Sequence, residues 1–542
     1  MRSCARVGWL GGWALAWVVF WPAATARAEP PPESPKWCTP CHQDARFSEK
    51  VFGKSVHGDN NCRECHTGYQ FNPHEDVEEP EIDESVKDGR GGNPAAITAC
   101  LGCHEDQANE FRESKHGKAF FEDKREGAPF CLDCHGDLHE MKSLSAMPPN
   151  ARRLLMNERC AACHADAKKM GDKGPKPVVV ETYEHSFHGR KLHLGSPKAP
   201  GCADCHGSHA LTDMKQDRAK KCGECHSGST VEFSDAFAHS PEEREVEPIA
   251  YWGKKFFVWL TFLTIFALMA HVLLDLASQI WRKRNHKPLP PQAEKAVPAE
   301  VQRFDVHQRL QHGLMALSFT MLVLTGLPLR AHTVDASLGV ARMFGGIDLT
   351  GLVHRVSAVG LIIASVYHLG YLVYLVVKGR LGPVMAPTPK DVKDVIDNLL
   401  YFLRLRDEKP RFARFSYFEK FDYWAVFWGV VIMVSSGFVL WFPVWTAKFV
   451  PGWVFTIMRV AHADEAILAA LAIFLWHFYN VHLRPAVFPM SWVFITGRMT
   501  REVFEEEHGA EFDAMLKAHE AANAPPPPTP PADPAAPGGK TP

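Results

Sequence analysis

The 542-residue sequence carries almost no excess charge, since 60 Lys and Arg residues stand against 62 Asp and Glu residues. This balance gives no indication of a nucleic-acid partner or of an acidic disordered protein. Cysteine is almost absent outside one pattern, because 14 of the 15 cysteines fall in seven Cys-x-x-Cys-His units. A histidine after every second cysteine makes a disulfide framework a poor interpretation.

The averages hide two different halves. Residues 29–250 contain 28 Lys and Arg against 39 Asp and Glu, a net charge of −11, and they include the acidic stretch Glu75–Asp88. That stretch is a solvated loop or a docking patch for a basic partner. Residues 251–500 are dominated by long apolar runs. The length exceeds one ordinary core and favours several units.

The N-terminus has the form of a secretory signal peptide over residues 1–28. Arg2 and Arg6 precede an apolar run from Val7 to Phe20, and a small-x-small cleavage signal follows at residues 26–28. Cleavage there would also remove Cys4, the one cysteine outside the units. An uncleaved membrane anchor is the alternative.

Five later apolar segments are long enough to cross a bilayer, which takes roughly 20 residues. With residues 29–250 exported, the inside connectors 281–303 and 378–420 carry six and ten Lys and Arg residues, and the outside connectors carry two and one. The positive-inside rule therefore agrees with the signal peptide. The predicted spans are Gly253–Ile280, His307–Leu329, Leu352–Val377, Phe421–Phe442 and Val454–Leu483.

The second inside connector contains apolar residues at helical spacing. They predict an amphipathic helix that lies on the membrane face or packs on the helix bundle. These residues are Val392, Val395, Ile396, Leu399, Leu400 and Leu403.

The exported half is predicted to be an array of seven covalent haems c. Cys-x-x-Cys-His is the attachment signature of this group, in which two thioethers fix the porphyrin and the adjacent His binds iron. Zinc or a redox dithiol would not require the His each time. The units are Cys38, Cys41 and His42; Cys62, Cys65 and His66; Cys100, Cys103 and His104; Cys131, Cys134 and His135; Cys160, Cys163 and His164; Cys202, Cys205 and His206; Cys222, Cys225 and His226.

The array repeats, because the first Cys of alternate units falls at positions 38, 100, 160 and 222. Seven further histidines recur with it, so every haem can have two histidine ligands, which would leave no open iron for a substrate. His185 and His193 are left over, and spacing does not say which histidine serves which haem. The seven distal candidates are His57, His74, His116, His139, His188, His209 and His239.

The membrane half places histidines at depth, where ionisable residues mark function by default. His354 and His368 lie 14 residues apart in one span, and His462 and His477 lie 15 apart in another, so each pair returns to nearly the same helix face. Two irons could therefore be held one above the other. Further histidines are His312 and His482 near inner ends and His271 in the first span, four residues before Asp275.

Residues 304–498 resemble the dihaem cytochrome b subunits of formate dehydrogenases and nickel hydrogenases. The resemblance rests on Arg309–His312, Leu324–Leu327, Leu352–His354, Ala461-His462 and Trp476-His477. It implies an outer haem b between His354 and His462 and an inner one between His312 and His477. The sequence departs from that family by adding His368 and His482 and by its 15-residue spacing. A second arrangement, as in the cytochrome b of the respiratory bc complex, pairs His368 with His477.

The same resemblance implies a quinone pocket beside the inner haem. The matching residues are Ser416, Glu419 and Lys420, with His482 nearby. Quinol oxidation releases two protons, for which a carboxylate and an imidazole are suitable acceptors. The alternative is that Glu419 and Lys420 form an interfacial ion pair that anchors the helix.

The whole chain resembles the inner-membrane multihaem cytochrome c and cytochrome b fusions of metal-reducing bacteria. The expected fold is all-α. A haem-packed periplasmic domain of little regular structure (29–250) is followed by a first membrane helix and a cytoplasmic linker (251–303). A dihaem membrane domain of cytochrome b type (304–500) completes a five-helix bundle, and a disordered cytoplasmic tail (501–542) follows. The expected function is electron transfer from menaquinol through two haems b and seven haems c, entering the array near Cys222–His226, to a periplasmic cytochrome c. A homo-oligomer is compatible with this expectation.

Three alternatives remain at this stage. The same path could run backwards and reduce quinone. A periplasmic reductase of nitrite or hydroxylamine would need an open iron, which seven complete motifs do not favour. A third alternative is a non-enzymatic electron-storage or docking subunit.

Overall fold

Helices make up nearly all the regular structure in the described part of the chain. The computed structural model describes residues 48–65, 100–125, 127–171, 178–211, 214–237, 248–281, 293–380, 385–485 and 487–523. Several sequence predictions lie outside the described residues. They concern the signal peptide, Cys38, Cys41, His42, His66, the acidic stretch, His74 and His239.

Residues 1–143 and 144–542 form two compact units, and each is described by itself. In the part of the first unit that the structure describes, the helices are short. They are α1 (Glu49–Phe52), α2 (Cys62–Cys65), α3 (Glu105–Glu113), α4 (Lys115–Phe121) and α5 (Cys131–His135).

The second unit begins inside the expected exported domain, so the last three Cys-x-x-Cys-His units fold together with the membrane helices. Its first part again consists of short helices, apart from the long α6. They are α6 (Pro149–His164), α7 (Ala167–Met170), α8 (Val178–Glu184), α9 (Phe187–His193), α10 (Cys202–His206), α11 (Met214–Gly223) and α12 (Val231–Ala236).

The rest of the second unit is a helix bundle with a small cap at one end, which we name the inner cap and which consists of residues 293–302 and 498–522. In chain order its elements are α13 (Pro248–Trp281), α14 (Ala293–Ala296), β1 (Glu300–Gln302), α15 (Val306–Arg330), α16 (Asp335–Met343), α17 (Ile347–Val377), α18 (Pro389–Phe402), α19 (Tyr417–Trp441), α20 (Pro443–Thr446), α21 (Gly452–Ala472), two π-helical turns (Ile473–His477 and Tyr479–Leu483), α22 (Val493–Thr496), β2 (Arg498–Thr500), α23 (Arg501–Glu507) and α24 (Gly509–Ala522).

Five of these helices are long and apolar enough to cross a membrane, which confirms the five predicted spans. They are α13, α15, α17, α19 and α21 with its π-helical turns. Following the predicted orientation, we name the end that carries α16 and α20 the outer end, and the end that carries α18 the inner end.

The bundle exposes large apolar side chains, as expected of helices that have lipid as their solvent. On α13, Phe256, Trp259, Phe262 and Phe266 are each 57–65% exposed. A face of this size and apolarity would cause aggregation in water, so its exposure fits a membrane location.

Capping boxes fix the starts of the helices at the inner end. Asp305 accepts a hydrogen bond from the Gln308 amide, and Gln308 accepts one from the Asp305 amide. Ser416 and Glu419 make the same exchange at the start of α19. Each exchange satisfies amides that have no partner within the helix, which sets where the spans begin.

The predicted tail is partly wrong, because residues 501–522 fold into α23 and α24. Phe504 and Phe512 are fully buried against Ala293 and Val297 of the linker. β1 and β2 pair antiparallel beside them. The apolar stretch is too short for a membrane span, and the residues on which it packs lie about two hundred positions earlier in the chain. The sequence pattern alone therefore did not indicate these helices.

The predicted amphipathic helix exists as α18 and has an unusual orientation. Its polar residues Asp394 and Asn398 are buried with Phe402, whereas Val392 and Ile396 are more than half exposed. Asn398 donates to the Tyr417 hydroxyl of α19. Thus the helix packs on the bundle through its polar side and presents apolar residues to its surroundings.

Candidate functional site

A seven-residue cassette recurs around three of the predicted distal histidines. In α4, Ser114 Oγ accepts a hydrogen bond from the Gly117 amide at 3.0 Å and so caps the helix that carries His116. A Cβ on Gly117 would overlap the carbonyl oxygen of Phe111. The same aromatic-x-x-Ser-x-His-Gly pattern occurs at residues 52–58 and 183–189.

The glycine of each cassette is required by close backbone approach. A Cβ on Gly58 would lie 2.7 Å from the carbonyl oxygen of Phe52, and one on Gly189 would overlap that of Tyr183. The sequence pattern revealed the Ser, His and Gly but missed the aromatic residue six positions before each glycine. Its fixed offset was the signal that could have found it.

Two motif histidines lie opposite distal candidates. The ring centroids of His57 and His104 are 6.3 Å apart, and those of His188 and His226 are 6.1 Å apart. In each pair a predicted motif ligand and a predicted distal ligand therefore face each other.

Neighbouring Cys-x-x-Cys-His units also approach one another. Cys160 and Cys202 share a side-chain hydrogen bond, and Cys100 and Cys131 do the same in the first unit. Cys205 lies close enough to Cys222 for their charges to interact. The last three Cys-x-x-Cys-His units therefore follow one another through space.

Near the outer end of the bundle, His354 of α17 faces His462 of α21. Their ring centroids are 6.4 Å apart. Glycines on the adjacent helices make room for the rings, because a Cβ on Gly326 or Gly437 would lie 3.3 Å from the Cε1 atom of the nearer imidazole.

Hydroxyl groups orient both imidazoles. Thr325 Oγ1 donates to the Met321 carbonyl at 2.6 Å, so it can only accept from His354 Nδ1, 2.9 Å away. In the same way, Ser436 Oγ donates to the Ile432 carbonyl and can therefore only accept from His462 Nδ1. The proton of each ring is thereby held on Nδ1, and Nε2 keeps a lone pair.

Near the inner end, His312 of α15 faces His477, with ring centroids 6.5 Å apart. His477 Nδ1 lies 3.1 Å from a carboxylate oxygen of Asp422. His312 Nδ1 is buried, and no protein partner for it occurs among the described residues. Carboxylate support of an imidazole is a common arrangement behind a metal ligand.

The π-helical turn Ile473–His477 explains the 15-residue spacing between His462 and His477. A π turn closes its hydrogen bond over five residues and takes up one more residue than an α turn. The two histidines are therefore placed as if 14 α-helical residues separated them, which is the spacing between His354 and His368.

The four imidazoles fit the axial ligands of haem. An iron held by two imidazole nitrogens at about 2 Å each needs ring centroids about 6 Å apart. Both membrane pairs and both pairs of the Cys-x-x-Cys-His region have centroids 6.1–6.5 Å apart.

His368 lies beside the inner pair with both ring nitrogens engaged. Its Nδ1 is 2.9 Å from Gln311 Oε1, and its Nε2 is 3.0 Å from the Tyr423 hydroxyl. The geometry accordingly favours His312 over His368 opposite His477.

The remaining membrane histidines lie in aromatic surroundings. His271 packs on Trp476 at 4.8 Å between ring centroids and contacts the Tyr417 hydroxyl through Nε2. The ring of His482 lies between Phe478 and Phe494, and Phe494 also contacts His312.

The predicted quinone residues have structural partners. Glu419 accepts from the amide and hydroxyl of Ser416 at 2.7 Å. Lys420 donates to both carboxylate oxygens of Asp391 at 2.9 Å and ties α19 to α18. The alternative of a Glu419–Lys420 ion pair is therefore replaced by these two separate contacts.

The two leftover histidines approach a third at the outer end. His185 and His193 each have ring centroids 5.9 Å from that of the buried His332. Among the described residues, however, no group of three such side chains has the geometry of a metal site.

The last Cys-x-x-Cys-His unit rests on the outer end of the bundle. Cys222 and Val444 pack on a buried cluster formed by Phe233, Ala447 and Phe455. The ring of His226 lies 5.1 Å from that of Phe233.

A second contact fixes this docking. Lys191 and Ser196 both bond to the Asp348 carboxylate at the start of α17. The part of the second unit before α13 is thus held to the bundle by polar and apolar contacts together.

Five membrane-capable helices with histidine pairs at two depths are the features of a membrane cytochrome of the b type that takes part in electron transport. The family model described as prokaryotic cytochrome b561 matches residues 303–492. These residues contain both histidine pairs and four of the five spans. None of the curated proteins compared with this chain matches it.

Proposed function

We propose that the chain transfers electrons from membrane quinol through two haems b and seven haems c to a periplasmic cytochrome. The observation that carries this proposal is that the unit Cys222–His226 packs on the outer end of the same bundle that holds the two histidine pairs. Haem supplies a one-electron couple, whereas the protein sets its position, ligands and surroundings.

In this proposal His312 and His477 hold the inner haem b, and His354 and His462 hold the outer one. The hydroxyl and carboxylate contacts behind these rings keep Nε2 available for iron. Two histidines per iron would leave no position for an oxyanion, so an electron conductor is favoured over a reductase.

The path from the bundle to the array is proposed to begin at Phe455. This residue lies seven positions, or two α-helical turns, before His462 on the same face of α21. Its ring contacts Phe237 at 5.7 Å, and its cluster contains Cys222. Supporting this route, Cys222 is followed through space by the attachment points at Cys205 and Cys160.

The test uses the purified full chain. A pyridine haemochrome assay is expected to give c and b haem in a ratio of seven to two. Menaquinol analogue added anaerobically should reduce the b bands first and the c bands afterwards. Absence of b-type absorbance, or b haem that never reduces the c haem, would contradict the proposal.

A further inference from the structure

His368, Gln311 and Tyr423 form a partly buried chain of hydrogen bonds that the histidine pairs leave unused. The three side chains come from α17, α15 and α19 and meet near the inner end of the bundle. Gln311 is 7% exposed. A polar chain at this depth is costly unless it has a role.

The hydrogen bonds define where the protons lie. Gln311 Oε1 only accepts, so His368 Nδ1 carries a proton and donates it. Nε2 therefore holds a lone pair, and the Tyr423 hydroxyl donates to it. His368 is thus a neutral base with a phenol already hydrogen-bonded to its basic nitrogen.

The side-chain amide of Gln311 also supplies a buried donor. Gln311 Nε2 is buried, and among the described residues it has no hydrogen-bond partner. Leaving such a group unsatisfied costs about 1–3 kcal/mol, so buried donors of this kind normally have a water or a ligand.

The polar chain is adjacent to the inner histidine pair through two helices. Gln311 precedes His312 in α15, and Tyr423 follows Asp422, which supports His477. Consecutive Cα atoms are about 3.8 Å apart. A molecule bound at this chain would therefore lie next to the inner haem position.

A polar route continues toward the inner end. Tyr371 lies three residues after His368 on the same helix face and donates to Asp305. Asp305 caps α15 at the inner end. A proton taken up by His368 thus has polar groups on the way to water.

The geometry points to Tyr423 and His368 as the site that binds quinol and accepts its proton, a role that sequence analysis gave to Glu419, Lys420 and His482. A quinol hydroxyl donates its proton to Tyr423 Oη, and the Tyr423 proton moves to His368 Nε2. The second proton would go to water, and the two electrons would leave one at a time through the haem b that His312 and His477 would hold and pass to the cytochrome acceptor, leaving quinone. This inference rests on the proposed function.

The experiment compares the variants Tyr423→Phe and His368→Gln with the matched control Tyr367→Phe. Tyr367 precedes His368 in α17, and its hydroxyl is hydrogen-bonded to the exposed His307. We expect quinol-driven reduction of haem b to slow roughly 100-fold in the first two variants and to stay unchanged in the control. Haem b content and reduction by dithionite should match wild type in all three.

A binding measurement separates this site from the proposed function. The probe is 2-heptyl-4-hydroxyquinoline N-oxide, whose fluorescence reports binding to the full chain. Its dissociation constant should rise at least tenfold in His368→Gln, a loss of about 1.4 kcal/mol. If wild type binds the probe but is not reduced by quinol, the proposed function fails and the site stands.

Two results would overturn the inference. The first is loss of haem b from His368→Gln, which would make His368 a ligand. The second is unchanged probe binding and reduction in both site variants while Glu419→Gln loses them. The two variants change different members of the hydrogen-bonded chain. The measurement on either variant is therefore sufficient, provided that this variant still assembles haem b.

Discussion

His462 Nδ1 lies 3.0 Å from Ser436 Oγ, and that hydroxyl donates in turn to the Ile432 carbonyl. The arrangement recurs at His354, where Thr325 takes the part of Ser436. In both cases a glycine follows the hydroxyl residue and leaves room for the ring. Two helix pairs thus present their imidazoles in the same way.

Replacing Ser436 by Ala should weaken the outer haem b site, because the imidazole loses the acceptor that fixes its tautomer. We expect haem affinity to fall tenfold to a hundredfold. Haem titration of the apoprotein measures this. The neighbouring exposed Ser435, whose hydroxyl also donates to Ile432, provides the control Ser435→Ala. An equal loss in both variants would remove the special role of Ser436.

Replacing Asp422 by Asn should raise the potential of the inner haem b alone. The carboxylate makes His477 a stronger donor and so favours ferric iron. A tenfold loss of ferric relative to ferrous binding corresponds to about 59 mV. A spectroelectrochemical titration should show one b wave shifted and one unchanged. Asp464→Asn, at the Arg330 ion pair of the outer end, is the comparison and should not shift the same wave.

Truncating Phe233 should loosen the docking of the last attachment unit. Phe233 is 4% exposed and packs on Ala447 and Phe455. Phe→Ala in such a site costs about 3–5 kcal/mol. Stopped-flow reduction should show slower transfer from b to c haem with unaltered b reduction. The control Val231→Ala changes an exposed residue of the same helix, and matching kinetics in the two variants would contradict the docking role.

The inner cap should lose stability in acid through His508. The pKa of His508 is lowered to about 4, mainly by burial and in part by the nearby Arg303, while Glu507 and Glu511 act in the opposite direction. A histidine in the unfolded chain has a pKa of about 6.5. The stability of the inner cap is therefore highest above that pH, and it is lost as the pH falls toward 4, because the unfolded state then binds the proton more readily. The difference is worth about 3 kcal/mol.

Hydrogen exchange of the α23 and α24 amides at pH 7 and pH 4.5 measures this effect. His508→Gln removes the titrating group, so its amides should exchange with a much smaller dependence on pH. A variant with the wild-type dependence would show that another group controls the cap.

The five spans could be predicted from the sequence because a bilayer imposes a minimum apolar length on each helix. The opposed histidines could be predicted from their spacing and from the family resemblance, because a histidine inside a membrane span is costly unless it has a function such as binding a metal. Long-range contacts could not be predicted in this way. Lys420 pairs with Asp391 instead of its neighbour, and Phe504 finds its partners in the linker.

The cap and the aromatic position of the cassette were missed for different reasons. Residues 501–522 have too few apolar side chains for a span, and their helices depend on contacts distant in sequence. The aromatic residue of each cassette contributes a backbone carbonyl, and side-chain patterns do not report on backbone contacts.

The wide turn before His477 means that α21 carries a spare residue. Removing one alanine from the Ala469–Ala472 stretch would let the helix adopt ordinary α geometry, while the imidazoles of His462 and His477 would keep their positions. A membrane helix can in this way change its length by one residue and still place two histidines on the same face, so spacings of 14 and 15 residues give equivalent positions.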